Sequence, residues 1–293
     1  MGQAEAVKEV RGTGHREEIL SKLPSVAAIP TASVEIVRLL QEPDVPNAKL
    51  AQAIEYDPSL TSNVLRLANS AYFGYPRSVS TIRDAIFLLG RNEIFQMVVA
   101  SVVGKMTRQS VRGYGLSPSE LWDHLMGVAV VSKKLGQVLH SKIPSYTFTA
   151  GLLHDIGKIV LGTFGDVDPA PILELAEQEQ TTLVAAEQRI LGIDHAEVGA
   201  LLLESWNLPA YLSEVVRWHH DPAKDPGQAV VAGLVHVGDA LCIVSGIGIS
   251  VNGHIRRLAE EVLWKARLET RVSEEVIEHA LAELDGLRDV FRF

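Results

Sequence analysis

The chain has 293 residues, 47% hydrophobic and 22% charged, which allows a large buried core in one domain or two and lacks the polar bias of a disordered chain. A net charge of −9 repels polyanions, so a nucleic-acid-binding platform is excluded, while a small nucleotide stays admissible because a bound cation can reverse the local field. The single cysteine, Cys242, excludes an intramolecular disulfide and fits a reducing, cytoplasmic setting.

Apolar residues recur at helical spacing in almost every long segment and no convincing alternating strand stands out, so the expected fold is all-α. Residues 1–17 read as a loosely ordered, polar N-terminus without the apolar core of a signal peptide. Leu23-Pro24 and Ile29-Pro30 bracket a short turn, and a helix is expected from Thr31 to Leu40. Asp57-Pro58 is a helix start, since Asp caps free amides and Pro suits the first helical position. The helix that follows, Ser59 to Ala71, sets Leu60, Val64, Leu67 and Ala68 on one face before Gly74 and Pro76 break the chain. Two further apolar helices, Thr81–Leu89 and Asn92–Lys105, are separated by Gly90, and the polar stretch 108–117 marks an internal boundary. The expected division is an N-terminal helical subdomain over 18–108, a metal-binding subdomain over 117–250 and a C-terminal helical cap over 255–293.

Ser117-Pro118-Ser119-Glu120 opens a helix to about Leu139, with Leu121, His124, Leu125, Val128, Val131, Leu135 and Val138 on its buried stripe. A helix over Thr149–Leu161 carries His154-Asp155 and Lys158. A turn at Asp168–Pro171 and an amphipathic stretch over Ile172–Leu191 follow. Asp194 caps a helix aligning His195, Gly199, Leu202, Leu203 and Trp206, and the next helix ends at His219-His220 before Asp221-Pro222. Ala229 to Val251 is apolar and long enough to span a membrane, but it holds His236, Asp239, Ser245 and four glycines. A buried helix to about Ile243 and a loop are therefore expected, not a membrane span.

His124, His154, Asp155, His195, His219, His220 and Asp239 all fall in apolar surroundings, where polar groups without partners are costly. A lone buried histidine is most often a hydrogen-bonded core residue. Five histidines with two aspartates point instead to one metal site, because imidazole and carboxylate are the donors of first-row divalent ions. Two ions sharing a bridging carboxylate would acidify a water and clamp a phosphoryl oxygen. Asp155 is the expected bridge, provided the His-Asp pair sits at a helix end or distortion, since neighbouring helical residues point about 100° apart. Lys158, one turn beyond His154, could meet a phosphate oxygen as a point charge, making Asp155 and Lys158 the catalytic candidates. Glu120 lies one turn before His124; it is a minority candidate for an additional ligand, against the plainer role of a first-turn carboxylate. His236, three before Asp239, is a second-layer candidate, and His15, His140, His254 and His279 read as surface residues.

The ordered set of a lone His, then His-Asp, His, His-His and Asp resembles the HD superfamily of metal-dependent phosphohydrolases. His154-Asp155-x-Gly157-Lys158 and His219-His220 are similar in particular to its HD-GYP branch, which hydrolyses cyclic di-GMP. The Gly-Tyr-Pro loop of that branch is missing: the chain reads His220-Asp221-Pro222-Ala223-Lys224-Asp225-Pro226. Leu23-Pro24, the run Asp57 to Ala71 and Ala85-Ile86-Phe87-Leu88-Leu89-Gly90 resemble the HDOD family, bacterial helical signalling domains related to HD hydrolases; the likeness spans roughly residues 18–245. It implies an HD-like helical bundle with an N-terminal helical subdomain, and two divalent transition-metal ions, iron favoured over manganese or nickel. It also implies a signalling role with a small phosphate-containing ligand or signalling proteins as partners. Three functions remain open at this stage: a metal-dependent phosphohydrolase acting on a nucleotide or phosphate ester, a protein-interaction module with a structural metal site, and a di-iron oxygen-activating protein.

Overall fold

The computed structural model describes residues 12–26, 31–42, 44–70, 78–108, 114, 116–139, 142–163, 170–248 and 253–290. Among these the chain is helical throughout, with no β-strand. The helices are α1 Gly12–Val26, α2 Thr31–Gln41, α3 Asn47–Glu55, α4 Pro58–Ala68, α5 Ile82–Leu89, α6 Arg91–Met106, α7 Pro118–Leu139 and α8 Thr147–Leu153, followed by α9 Ile156–Thr163, α10 Ala170–Gln178, α11 Leu183–Leu191, α12 His195–Ser205, α13 Ala210–Trp218, α14 Ala229–Ser245, α15 Gly253–Ala266 and α16 Thr270–Val290. No described helix is long and apolar enough to cross a membrane.

Local chemistry explains the boundaries. Asp57 caps α4 by accepting from the amides of Ser59 and Leu60, with Pro58 in the first turn. Thr81, Thr182 and Asp194 do the same for α5, α11 and α12. The apolar faces then pack in two groups. Helices α2 to α6 pack on one another, and α6 reaches across to α8. Around the buried α7 lie α8, α14 and α16, and α12 joins α9 to α13.

Several expectations need correction. Residues 12–17, expected to be loose, begin α1, which runs through Leu23-Pro24 to Val26 where a turn was expected. Arg16 on α1 is anchored to α12 by two bonds to the Glu197 carboxylate, 2.6 and 3.0 Å, and to the Gly192 carbonyl at 3.0 Å. Helix α3 was not anticipated. The 172–191 stretch is two helices, α10 and α11, broken where Gln180 adopts φ 51°, and α10 begins at Ala170 inside the expected turn. Val138, placed on the buried stripe of α7, is 37% exposed because the last turn of that helix runs past the core. His254, read as a surface residue, is buried, with Nε2 2.8 Å from the Thr181 carbonyl. The expected breaks at Gly74 and Pro76, most of the 108–117 boundary, and His140 lie outside the described residues.

Candidate metal centre

The expected helix over 149–161 is interrupted at its most polar point. Helix α8 stops at Leu153, α9 starts at Ile156, and His154-Asp155 form the turn between them. That break lets adjacent side chains reach the same centre, which an uninterrupted helix would forbid. His219-His220 sit in the equivalent place, in the turn after α13. His195 is the first residue of α12, His124 lies on α7 and Asp239 on α14.

The other six side chains gather around Asp155. Its Oδ1 lies 3.1 Å from His195 Nε2 and 3.8 Å from His219 Nε2. Its Oδ2 lies 3.4 Å from His154 Nε2 and 3.6 Å from His124 Nε2. Asp239 Oδ1 stands 3.2 Å from His124 Nε2 and 3.9 Å from His154 Nε2. His220 Nε2 is 2.9 Å from His195 Nε2. Two groups of close-set donors share Asp155: one with His195, His219 and His220, the other with His124 and His154.

The ring orientations fit a bound cation. His154 Nδ1 lies 2.7 Å from the Gly151 carbonyl and His219 Nδ1 2.7 Å from the Val216 carbonyl, while His195 Nδ1 meets the Glu187 carboxylate at 2.7 Å. With the proton on Nδ1, His154 and His219 each present an Nε2 lone pair to the centre. The Nε2 atoms of His124, His154 and His219, and Asp155 Oδ1, are buried without a hydrogen-bond partner. Buried acceptors aimed at one another without a donor are costly, and a cation resolves the conflict. The donor set fits divalent transition metals.

Ionisation follows the same geometry. Burial, aided by the neighbouring His154, lowers His219 to about 3, and burial with His219 holds His220 well below the usual imidazole range, so both imidazoles are neutral at pH 7. Burial also acts against charge on His195, but the adjacent Glu187 carboxylate overcomes it and raises this residue to about 10. For Asp155 the burial cost is outweighed by Lys158 and His154, which hold the carboxyl well below its usual range.

Two glycines make the convergence sterically feasible. A Cβ on Gly157 would stand 1.9 Å from the His195 carbonyl oxygen and 2.8 Å from the Gly199 amide nitrogen, so only glycine lets α9 lie this close to α12. Gly248, at φ +77°, passes against the backbone of α7, where a Cβ would sit 2.2 Å from the His124 nitrogen.

The remaining candidates divide. Lys158 is buried and its ammonium pairs with Asp155 Oδ2. His236 is half-buried and hydrogen-bonds to the His219 backbone; burial lowers its pKa although Asp239 pulls the other way. Glu120 lies outside the cluster: its Oε2 accepts from the amide and hydroxyl of Ser117 at 2.8 and 2.6 Å, a capping role at the start of α7.

One residue that belongs to the site was missed. Glu187 on α11 is fully buried and accepts from His195 through both Nδ1 and the backbone amide, while its other oxygen accepts from Tyr114 Oη at 2.7 Å. Nothing in the sequence marks it, because it sits eight residues from its partner on a different helix.

A family model for the HDOD domain matches residues 26–222. The chain belongs to the HDOD family. Among solved structures, an HDOD domain protein of unknown function from Geobacter sulfurreducens is 26% identical, with a TM-score of 0.68 and 95% of each chain covered. A candidate phosphohydrolase from Shewanella amazonensis SB2B is 25% identical, with a TM-score of 0.72 and coverage of 94% of this chain and 98% of that one. An uncharacterised protein of Treponema pallidum (strain Nichols) is 23% identical over 207 residues, 69% of this chain; the match spans only 39% of that relative's length. The HDOD match contains His124, His154, Asp155, His195, His219 and His220, whereas Asp239 and helices α14 to α16 lie beyond it.

In this HDOD chain a cleft of about 430 Å³ opens beside the cluster. Lys158, His195, His220 and Asp239 line its inner end, with Trp218, Arg217 and residues of α15 also on its wall.

Proposed function

We propose that this HDOD protein is a two-metal phosphohydrolase acting on a phosphate ester in a signalling context. The carrying observation is the division of donors about Asp155, His195 and His219 toward one oxygen and His124 and His154 toward the other. In this reading His195, His219 and His220 would hold one ion, His124, His154 and Asp239 would hold the other, and Asp155 would serve both. Iron is the favoured metal, and nitrogen–oxygen donors also accept manganese or nickel. When bound, such ions lower the pKa of a water and polarise a phosphoryl oxygen.

The chain's own groups supply the rest. Glu187, held in turn by Tyr114, keeps a proton on His195 Nδ1, so His195 would bind a metal through Nε2 once that nitrogen has given up its own proton. Lys158 keeps Asp155 ionised and places a positive charge at the inner end of the cleft, suited to a phosphoryl oxygen. The apolar interior of α7 and α8 excludes bulk water from behind the cluster and strengthens these interactions. The Shewanella relative named as a candidate phosphohydrolase supports this reading. After His220 the chain enters a 3-10 turn at Pro222–Lys224 in place of a Gly-Tyr-Pro loop, so cyclic di-GMP is not the expected substrate.

The test is to purify the protein without chelator or affinity tag, measure bound metal, and assay aryl phosphate monoesters and diesters. Wild type should carry close to two ions and turn over at least one ester, and Asp155→Ala should lose both properties. A second reading, an interaction module with a structural metal site, draws on the adjacent Phe87 and Leu88 of α5, 81% and 36% exposed. Full metal occupancy without turnover, and a melting temperature that collapses on chelation, would favour it.

A further inference from the structure

The cleft beside the cluster has an uneven lining, and its unevenness indicates a ligand. Its inner end is polar, formed by Lys158, His195, His220 and Asp239. Helix α15 also lines the cleft, with Ile255, Leu258, Ala259 and Val262 recurring at helical spacing and all facing the same space. Ile255, Leu258 and Val262 are only half-buried. An apolar stripe left half-open beside charged groups is the pattern of a site for a ligand with one polar and one apolar end.

The rim cations limit the charge of that ligand. Arg217 is held by Glu204 at 2.9 Å and Lys224 by Asp221 at 2.9 Å, and both Asp194 and Asp221 also line the cleft. Among the described residues, then, the lining cations away from the cluster each have a carboxylate partner, which favours a ligand with one anionic end. Trp218 offers a flat face in the same lining, one residue before the paired histidines.

We infer that this cleft binds an ester with a single phosphoryl group and a flat aromatic or apolar body, the phosphoryl end at the cluster and the body between Trp218 and the apolar stripe of α15. This rests on the phosphohydrolase reading and adds the substrate class to it. Helix α15 lies beyond the segment that the HDOD family model matches, so the proposed contacts to the organic group come from outside that segment.

The experiment uses the metal-loaded full chain and two phosphonates, whose carbon–phosphorus bond hydrolysis does not break: 1-naphthylphosphonate and methylphosphonate. Calorimetric titration should show the naphthyl compound binding at least tenfold tighter, the order expected from burying an aromatic ring. Leu258→Ser and Val262→Ser should each reduce naphthyl binding by roughly five- to tenfold while leaving methylphosphonate affinity and metal content unchanged. Equal affinity for the two compounds in wild type would overturn the inference while leaving the phosphohydrolase reading intact, and this comparison stands even if a variant fails to fold. Folded α15 variants that weaken both compounds equally would overturn it too. If metal-replete protein binds neither phosphonate, the inference and the phosphohydrolase reading fall together.

Discussion

Glu187 Oε2 accepts from both nitrogens that His195 can offer in its direction, Nδ1 at 2.7 Å and the backbone amide at 2.9 Å. One carboxylate thereby fixes the tautomer of the ring and the first turn of α12 together. Carboxylates behind metal-bound histidines typically contribute about 10–100-fold to metal affinity. Glu187→Gln keeps the shape and removes the charge, so it should weaken metal binding by about that factor with an unchanged helical spectrum. Competition against a chelator of known affinity measures this. Affinity equal to wild type would remove Glu187 from the site.

Lys158 and Asp155 form a buried pair, and breaking one member leaves the other charge without compensation. In chelated protein, Asp155→Ala should cost roughly 3–5 kcal/mol of unfolding stability, the usual penalty for a broken buried ion pair. Adding Lys158→Met should recover most of that loss, since the uncompensated ammonium is then gone. Urea unfolding of the two variants decides it. A double variant no more stable than Asp155→Ala would show that the pair is not the source of the cost.

Gly157→Ala should be among the most damaging single-methyl changes in this chain. The added carbon would overlap the His195 carbonyl oxygen, and both contacts are backbone, so neither can rotate aside. Overpacking of this kind costs about 1–3 kcal/mol and sometimes more. The expected result is a lower urea midpoint together with reduced metal content, because α12 carries His195 away from Asp155 as it is displaced. A variant with normal midpoint and full metal would contradict the close approach of α9 and α12.

The cap of α4 gives a pH signature away from the metal centre. Burial works against ionisation of Asp57, but the amides of Leu60 and Ser59 and the ammonium of Lys105 prevail and lower its pKa. A carboxyl depressed in the folded state contributes stability above its unfolded pKa of about 3.9 and loses it as the pH falls through the folded value. Asp57→Ala should therefore cost about 1 kcal/mol at pH 7. The gap from wild type should shrink as the pH falls below about 4. Paired melting curves at neutral and acid pH test this, and a gap that widened on acidification would reverse the sign and refute it.

The sequence by itself determined what depends on neighbours along the chain. Helical periodicity gave the all-α class, and Asp57-Pro58 gave the start of α4, because caps and apolar stripes act within one or two turns. The candidate ligands stood out as histidines and aspartates in apolar runs, and the need for a break at His154-Asp155 followed from helix geometry alone. Where the local signal was faint, the reading failed: α1 has little amphipathic contrast, and α3 is a short helix between prolines and turns. Only the tertiary structure decided the rest. Glu187 and His254 look like ordinary surface residues in sequence, and both are buried by helices distant along the chain. The role of Glu120 turned on whether its carboxylate reached back to Ser117 or inward beside His124. Which oxygen of Asp155 each histidine faces is set by how α7, α9, α12 and α13 cross, and crossing geometry depends on close approaches such as Gly157 against His195. Periodicity states which face of a helix is buried; it does not state against what, and the chemistry of this centre resides in that second fact.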